Sequence, residues 1–207
     1  MRSTWKRAVV MAAWAGAATT AVQAQDVPGD QELVRRAIHV CAACHGEGGV
    51  SHTKGVPSLA GQQRLYTIAQ LKDFRSQTRV EAGTQAYMWG VAALLDDATI
   101  NGLADYFAAQ PPAPGRVAPP SLVKAGRKLY NTGDESRGVR ACSACHGAKG
   151  EGEAGFPRLA GQRTEYVYAQ LKLFGTRLRP HGIVMKNEVR SLTPAEMRAL
   201  ASYVHTL

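Results

Sequence analysis

The chain has 207 residues, 45% of them hydrophobic and 20% charged, with 25 Lys and Arg against 16 Asp and Glu, a formal net charge of +9. That composition excludes a disordered chain, and the length accommodates one or two domains. Aromatic content is low, at 7%.

Residues 1–24 read as a secretory signal. Arg2, Lys6 and Arg7 form a basic start, residues 8–18 are apolar, and Val22-Gln23-Ala24 is a small-x-small cleavage site, with cleavage expected after Ala24. The apolar run is too short for a membrane span, which needs roughly 20 residues, and no later stretch is a candidate. The remainder is electrically uneven. Residues 25–112 carry 7 basic and 9 acidic side chains, whereas residues 116–207 carry 15 and 7. Such a dipolar chain is expected to dock differently with its two ends, the basic one meeting an acidic protein partner or an anionic membrane surface.

A helix predicted over 32–40 leads into Cys41-Ala42-Ala43-Cys44-His45. A second helix is expected at 62–75, with Leu65, Ile68, Leu71 and Phe74 at helical spacing. A third is capped by Asp96 and buries Ile100, Leu103, Tyr106 and Phe107. The stretch 110–120, QPPAPGRVAPP, holds five of the ten prolines and reads as a semi-rigid linker. Fully extended it spans on the order of 34 Å, ample for one half to fold back on the other.

The order then repeats. A helix over 121–130 is followed by a polar insertion at 131–140 and by Cys142-Ser143-Ala144-Cys145-His146. A middle helix at 162–174 carries Val167, Leu171 and Phe174. Thr193-Pro194-Ala195-Glu196 is a capping box that starts a helix burying Met197, Leu200, Tyr203 and Val204. Pro57 matches Pro157, Leu-Ala-Gly-Gln at 59–62 matches 159–162, Tyr66 matches Tyr166, Ala-Gln-Leu-Lys at 69–72 matches 169–172, Phe74 matches Phe174 and Arg79 matches Arg179. A whole domain has been duplicated. No β pattern competes with an all-α reading: first domain 25–110, linker 111–120, second domain 121–207.

Each C-x-x-C-H is the attachment signature of c-type haem. Residues i, i+3 and i+4 share a helix face, so Cys41 and Cys44, or Cys142 and Cys145, reach the two vinyl groups of one porphyrin. His45 or His146 then lies under the iron. The porphyrin also explains the shortage of aromatics, being the largest apolar object in such a core. The rival readings are weak. A zinc site needs its cysteine pairs much closer in sequence, a thioredoxin-like pair needs a βαβ setting, and disulfides need no histidine after each pair.

For the sixth ligand, Met88 and Met185 stand at matching places in the repeat, in segments expected to be loops, and are assigned to the first and second irons. Met197 aligns with Ile100 on the core stripe and is expected to pack. His39, His52, His181 and His205 have no counterpart in the other copy. His181, four residues before Met185, is the main rival ligand, and His52 is expected in solvent. Pro57 and Pro157 are expected beside the proximal imidazoles, where a backbone carbonyl accepts the ring N–H. Trp89, directly after Met88, has Lys186 as its counterpart and reads as packing.

With the duplicated C-x-x-C-H, the two Pro-x-Leu-Ala-Gly-Gln stretches, the paired methionines and the signal, the chain resembles the dihaem cytochrome c4 family over residues 25–207. The resemblance implies two class I cytochrome c domains with their haems close together. It implies a periplasmic one-electron carrier that is often loosely membrane-associated and feeds a terminal oxidase. Two covalently bound haem c groups are expected, with a quinol–cytochrome c reductase or a periplasmic dehydrogenase as donor, no nucleic-acid partner and a monomeric state. The alternative is a haem subunit or dedicated acceptor of a dehydrogenase oxidising sulfur compounds or an alcohol. A dihaem peroxidase, which needs an open iron, is disfavoured by the two methionines.

Overall fold

The computed structural model describes residues 28–80 and 85–207, and the signal expected at 1–24 lies outside them. Among the described residues there is no strand, only two isolated β-bridges, Asp134 with Val139 and Glu153 with Phe156. The first domain holds α1 (Pro28–His45), α2 (Arg64–Arg75), α3 (Gln85–Ala93) and α4 (Asp97–Ala109). The second holds α5 (Pro120–Thr132), α6 (Ser143–His146), α7 (Thr164–Phe174), α8 (Ile183–Val189) and α9 (Pro194–Thr206).

The lead helix α1 runs further than the expected 32–40, straight through the first motif, because Ala42 and Ala43 sustain the helix. Gly46 ends it with φ at +81°, and a Cβ there would stand 2.1 Å from the Val50 carbonyl oxygen. In the second domain the insertion interrupts this continuity. Helix α5 stops at Thr132, Glu135–Arg137 form a 3-10 turn, and the motif gets its own short helix, α6, closed by Gly147 at φ +82°.

The terminal helices follow the predicted pattern. Asp96 accepts from the Thr99 N–H at 2.7 Å to start α4, and Thr193 and Glu196 form the reciprocal capping box of α9. Ile100, Leu103 and Phe107 are buried along α4, where Tyr106, expected inside, is only partly buried, and Met197, Leu200, Tyr203 and Val204 are buried along α9. Leu65 departs from its expected place and is 55% exposed. Thr67 and Phe74 mark the buried face of α2, and Leu65, two residues before Thr67, lies about 200° around the helix from it. Helices α3 and α8 correct a second expectation, since they carry Met88 and Met185, which were expected in loops. Both are short, and α3 (QAYMWGVAA) has no charged face to make a helical period visible.

Helix α4 packs on α1 and α2, and α9 on α5 and α7. Both long crossings are close enough to require glycine, but on opposite partners. A Cβ on Gly102 of α4 would meet Val34 of α1 at 2.5 Å, whereas in the second domain it is Gly126 of α5 whose Cβ would meet the Ala199 carbonyl of α9 at 2.1 Å.

The linker has no regular secondary structure over 111–119 and is pinned to both domains. The Arg116 N–H donates to the His205 carbonyl at 2.9 Å, and its guanidinium donates to the Ser51 carbonyl at 3.3 Å. Ala113 is buried. No helix among the described residues is long and apolar enough to cross a membrane.

Candidate functional site

Helix α1 delivers Cys41, Cys44 and His45 on one face, and the turn at 142–146 delivers Cys142, Cys145 and His146 in the same way. No disulfide engages any of the four cysteines, so all four sulfurs are available for thioether attachment. The imidazoles of His45 and His146 are buried, and each meets the carbonyl of its matching proline: Nδ1 of His45 lies 2.8 Å from Pro57 O, and Nδ1 of His146 lies 3.0 Å from Pro157 O. A carbonyl only accepts, so each Nδ1 carries the proton and each Nε2 keeps its lone pair. Burial lowers both imidazole pKa values, against the opposing pull of the proline carbonyls, and so keeps the rings neutral. A neutral ring with an oriented N–H and a spare nitrogen is what an axial iron ligand requires.

Met88 and Met185 are half-buried, and Met185 packs against the core of the second domain. Met197 is buried within that core. The other histidines have different partners. His181 faces Asp73 of the first domain at 2.7 Å, and buried His205 faces the Gln162 carbonyl at 2.8 Å. His39 and His52 are exposed. The Trp89 indole N–H donates to the Arg79 carbonyl at 2.8 Å, which is more than packing.

Sequence reasoning missed the contact between the domains, although its residues were already visible as repeat matches. Side chains cross it reciprocally. Gln162 accepts from the Ser58 N–H at 2.8 Å and donates to the Ser58 carbonyl at 2.9 Å. Gln62 accepts from the Arg158 N–H at 2.7 Å and donates to the Arg158 carbonyl at 3.1 Å. Arg79 donates to Gln70 at 2.8 Å and to Tyr166 at 3.1 Å; Arg179 donates to Gln170 at 2.7 Å, Tyr66 at 3.4 Å and Gln70 at 2.6 Å. Each guanidinium also covers its own domain's phenylalanine, Phe74 at 4.4 Å and Phe174 at 4.1 Å. Residue i meeting j′ while j meets i′ is the pattern of a two-fold interface, here within one chain. The Val80 N–H donating to the Leu178 carbonyl at 2.8 Å adds a backbone bond across it. Burial is the largest influence on both phenols and, with the neighbouring Tyr66, holds Tyr166 up; at Tyr66 the fields of Arg179 and Arg79 and the Arg179 hydrogen bond outweigh burial and bring the phenol down.

Two tandem units with buried, singly oriented histidines after paired thiols define a c-type cytochrome. The cytochrome c family model matches residues 32–110 and 123–207. A cytochrome c-552 from Acidithiobacillus ferridurans is 39% identical over 197 residues, covering 93% of this chain and 83% of the relative. A cytochrome c4 from Azotobacter vinelandii is 36% identical, covering 81% and 84%. The crystal structure of cytochrome c4 from Pseudomonas stutzeri superposes with a TM-score of 0.77 at 33% identity, covering 85% of this chain and 97% of that one. A thiosulfate dehydrogenase electron acceptor from Thiomonas intermedia is 36% identical, covering 79% and 76%. The chain belongs to the cytochrome c4 family. It is an electron-transfer protein, not an enzyme, and carries two covalently bound haem c groups.

Proposed function

We propose that this cytochrome c4 is a periplasmic one-electron carrier that delivers electrons from a quinol–cytochrome c reductase or a dehydrogenase to a terminal oxidase. In this reading residues 1–24 are removed and the two domains span 25–110 and 121–207. Cys41, Cys44, His45 and Met88 hold the first haem; Cys142, Cys145, His146 and Met185 hold the second. Each haem would supply one-electron redox chemistry at its iron. The chain's residues would orient the imidazoles, offer His45 with Met88 and His146 with Met185 as iron ligands and exclude water, which suits transfer without substrate chemistry.

The observation that carries the docking half of the reading is the uneven charge. In the first domain Arg35, Arg36, Arg64, Lys72 and Arg75 pair with Glu32, Asp105 and Asp97. In the second, Lys124, Arg127, Lys128, Lys149, Arg177, Lys186 and Arg190 are exposed, and the basic residues outnumber the acidic ones. An acidic partner is therefore steered to the second domain, a monomer suffices, and loose adhesion to an anionic membrane has the same origin. The test is stopped-flow oxidation by a terminal oxidase at increasing ionic strength. The rate is expected to fall steeply with salt, and a salt-independent rate would count against this docking. A second reading, a dedicated acceptor for a periplasmic dehydrogenase, is supported by the thiosulfate dehydrogenase acceptor among the relatives. Faster reduction by thiosulfate dehydrogenase than oxidation by the oxidase would favour it.

A further inference from the structure

The peptide between Pro57 and Ser58 has two functions at once. Its carbonyl accepts the Nδ1–H of His45 at 2.8 Å. Its N–H, on Ser58, donates to Oε1 of Gln162 in the other domain at 2.8 Å. The mirror arrangement uses the peptide between Pro157 and Arg158. Its carbonyl faces His146 at 3.0 Å, and its N–H donates to Gln62 at 2.7 Å.

Both glutamines are held firmly. They are 7% and 5% exposed, and each Oε1 also accepts from the next N–H of its own chain, Gln63 and Arg163, both at 2.9 Å. Each amide nitrogen completes the grip on the opposite domain by donating to the carbonyl of Ser58 or Arg158.

We propose that Gln62 and Gln162 are crossed positioning residues, each tuning from its own domain the proximal histidine of the other domain's haem. The proposal rests on His45 and His146 being the proximal ligands. A peptide is one resonance unit. An acceptor on its N–H shifts electron density toward its oxygen, which makes that oxygen a stronger partner for the imidazole N–H. The imidazole becomes more basic and favours the oxidised iron. Domain docking is thereby written into both reduction potentials, and each site responds to the presence of the other domain.

The experiment uses the full-length dihaem protein with Gln162→Leu and Gln62→Leu, each followed by potentiometric titration and by NMR of the two proximal Nδ1–H signals. Gln162→Leu is expected to shift the first haem about threefold toward the reduced form and to move only the His45 signal. Gln62→Leu is expected to do the same to the second haem and His146. Gln162→Glu keeps an acceptor at the Ser58 N–H, so the first haem should not rise. Tyr166→Phe disturbs the interface without touching either peptide and should not produce the crossed pattern. A shift in the mutated domain's own haem, equal shifts in both, a rise with Gln162→Glu matching that with leucine, or a crossed pattern from Tyr166→Phe would overturn the proposal. If either histidine is not a ligand, its ring signals will ignore the oxidation state of the protein, a failure distinct from loss of crossing.

Discussion

The two domains hold their methionine-bearing helices from the same point by different means. In the first, the Arg79 carbonyl accepts the Trp89 indole N–H at 2.8 Å; in the second, the Arg179 carbonyl accepts the Gly182 backbone N–H at 3.0 Å, at the start of α8. The first tie is a removable side chain, and the second is built into the backbone. The cores differ as well. In the first domain the central cluster is Leu95, Ile100, Leu103 and Phe107, whereas the second adds Tyr130, Val139, Val189 and several α9 residues, with Met185 packed against it. The insertion at 131–140 contributes both Val139 and Arg137, whose guanidinium bonds the Glu196 carboxylate at 2.6 Å. Duplication has preserved the motif geometry and the reciprocal interface, which need both copies. It has let the local supports drift, because each is tested only within its own domain.

Core truncation should give the largest effect. Leu103→Ala and Leu200→Ala each remove a buried side chain of a terminal helix and are expected to cost about 3 kcal/mol. With Met88 and Met185 as the proposed iron ligands, thermal unfolding followed at the methionine–iron absorption band of each haem should show each variant lowering its own domain's transition first. Joint lowering of both would mean one cooperative unit and would break the comparison of separate cores.

A smaller effect is expected from acid. Hydrogen bonds from Arg137 and then from the Thr193 N–H hold the Glu196 carboxyl down at about 2, against an ordinary 4.5. A depressed carboxyl adds stability above its unfolded value, so this contribution is complete above about pH 4.5 and is lost as pH falls toward 2. Glu196→Gln should cost about 1 kcal/mol at neutral pH, after allowance for its partial exposure. The deficit should vanish at low pH and appear in the second domain. A deficit unchanged from pH 7 to pH 2 would rule out this origin.

The smallest effect sharpens the comparison most. Trp89→Phe keeps a ring but removes the N–H that reaches Arg79 and should cost roughly 0.5–1 kcal/mol. On the proposed methionine ligation, the first haem's methionine–iron band should then be lost at a lower temperature while the second haem's band holds. Equal weakening of both bands would show that Trp89 is not a local tie.

Much of this was legible in the residues. The helical stripes on α4 and α9, the caps at Asp96 and Thr193 and the proline carbonyls beside His45 and His146 all follow from local spacing or from the repeat. Helices α3 and α8 were not legible, because α3 has no charged face and α8 is only seven residues long. Leu65 fitted a stripe on paper but faces solvent, because neighbouring helices decide which side of α2 is inside. The roles of Gln62, Gln162, Arg79 and Arg179 were hidden in plain repetition, since a matched residue announces that it matters without saying what it touches.

The sequence by itself determined the two haem motifs, the duplicated helical domain and the uneven charge, because each is a matter of residue type at short or repeated spacing. Only the tertiary structure decided that each domain's glutamine grips the peptide orienting the other domain's histidine. That contact joins residues 96 to 104 apart in the chain, and it forms only when the pinned linker brings two copies of one surface face to face.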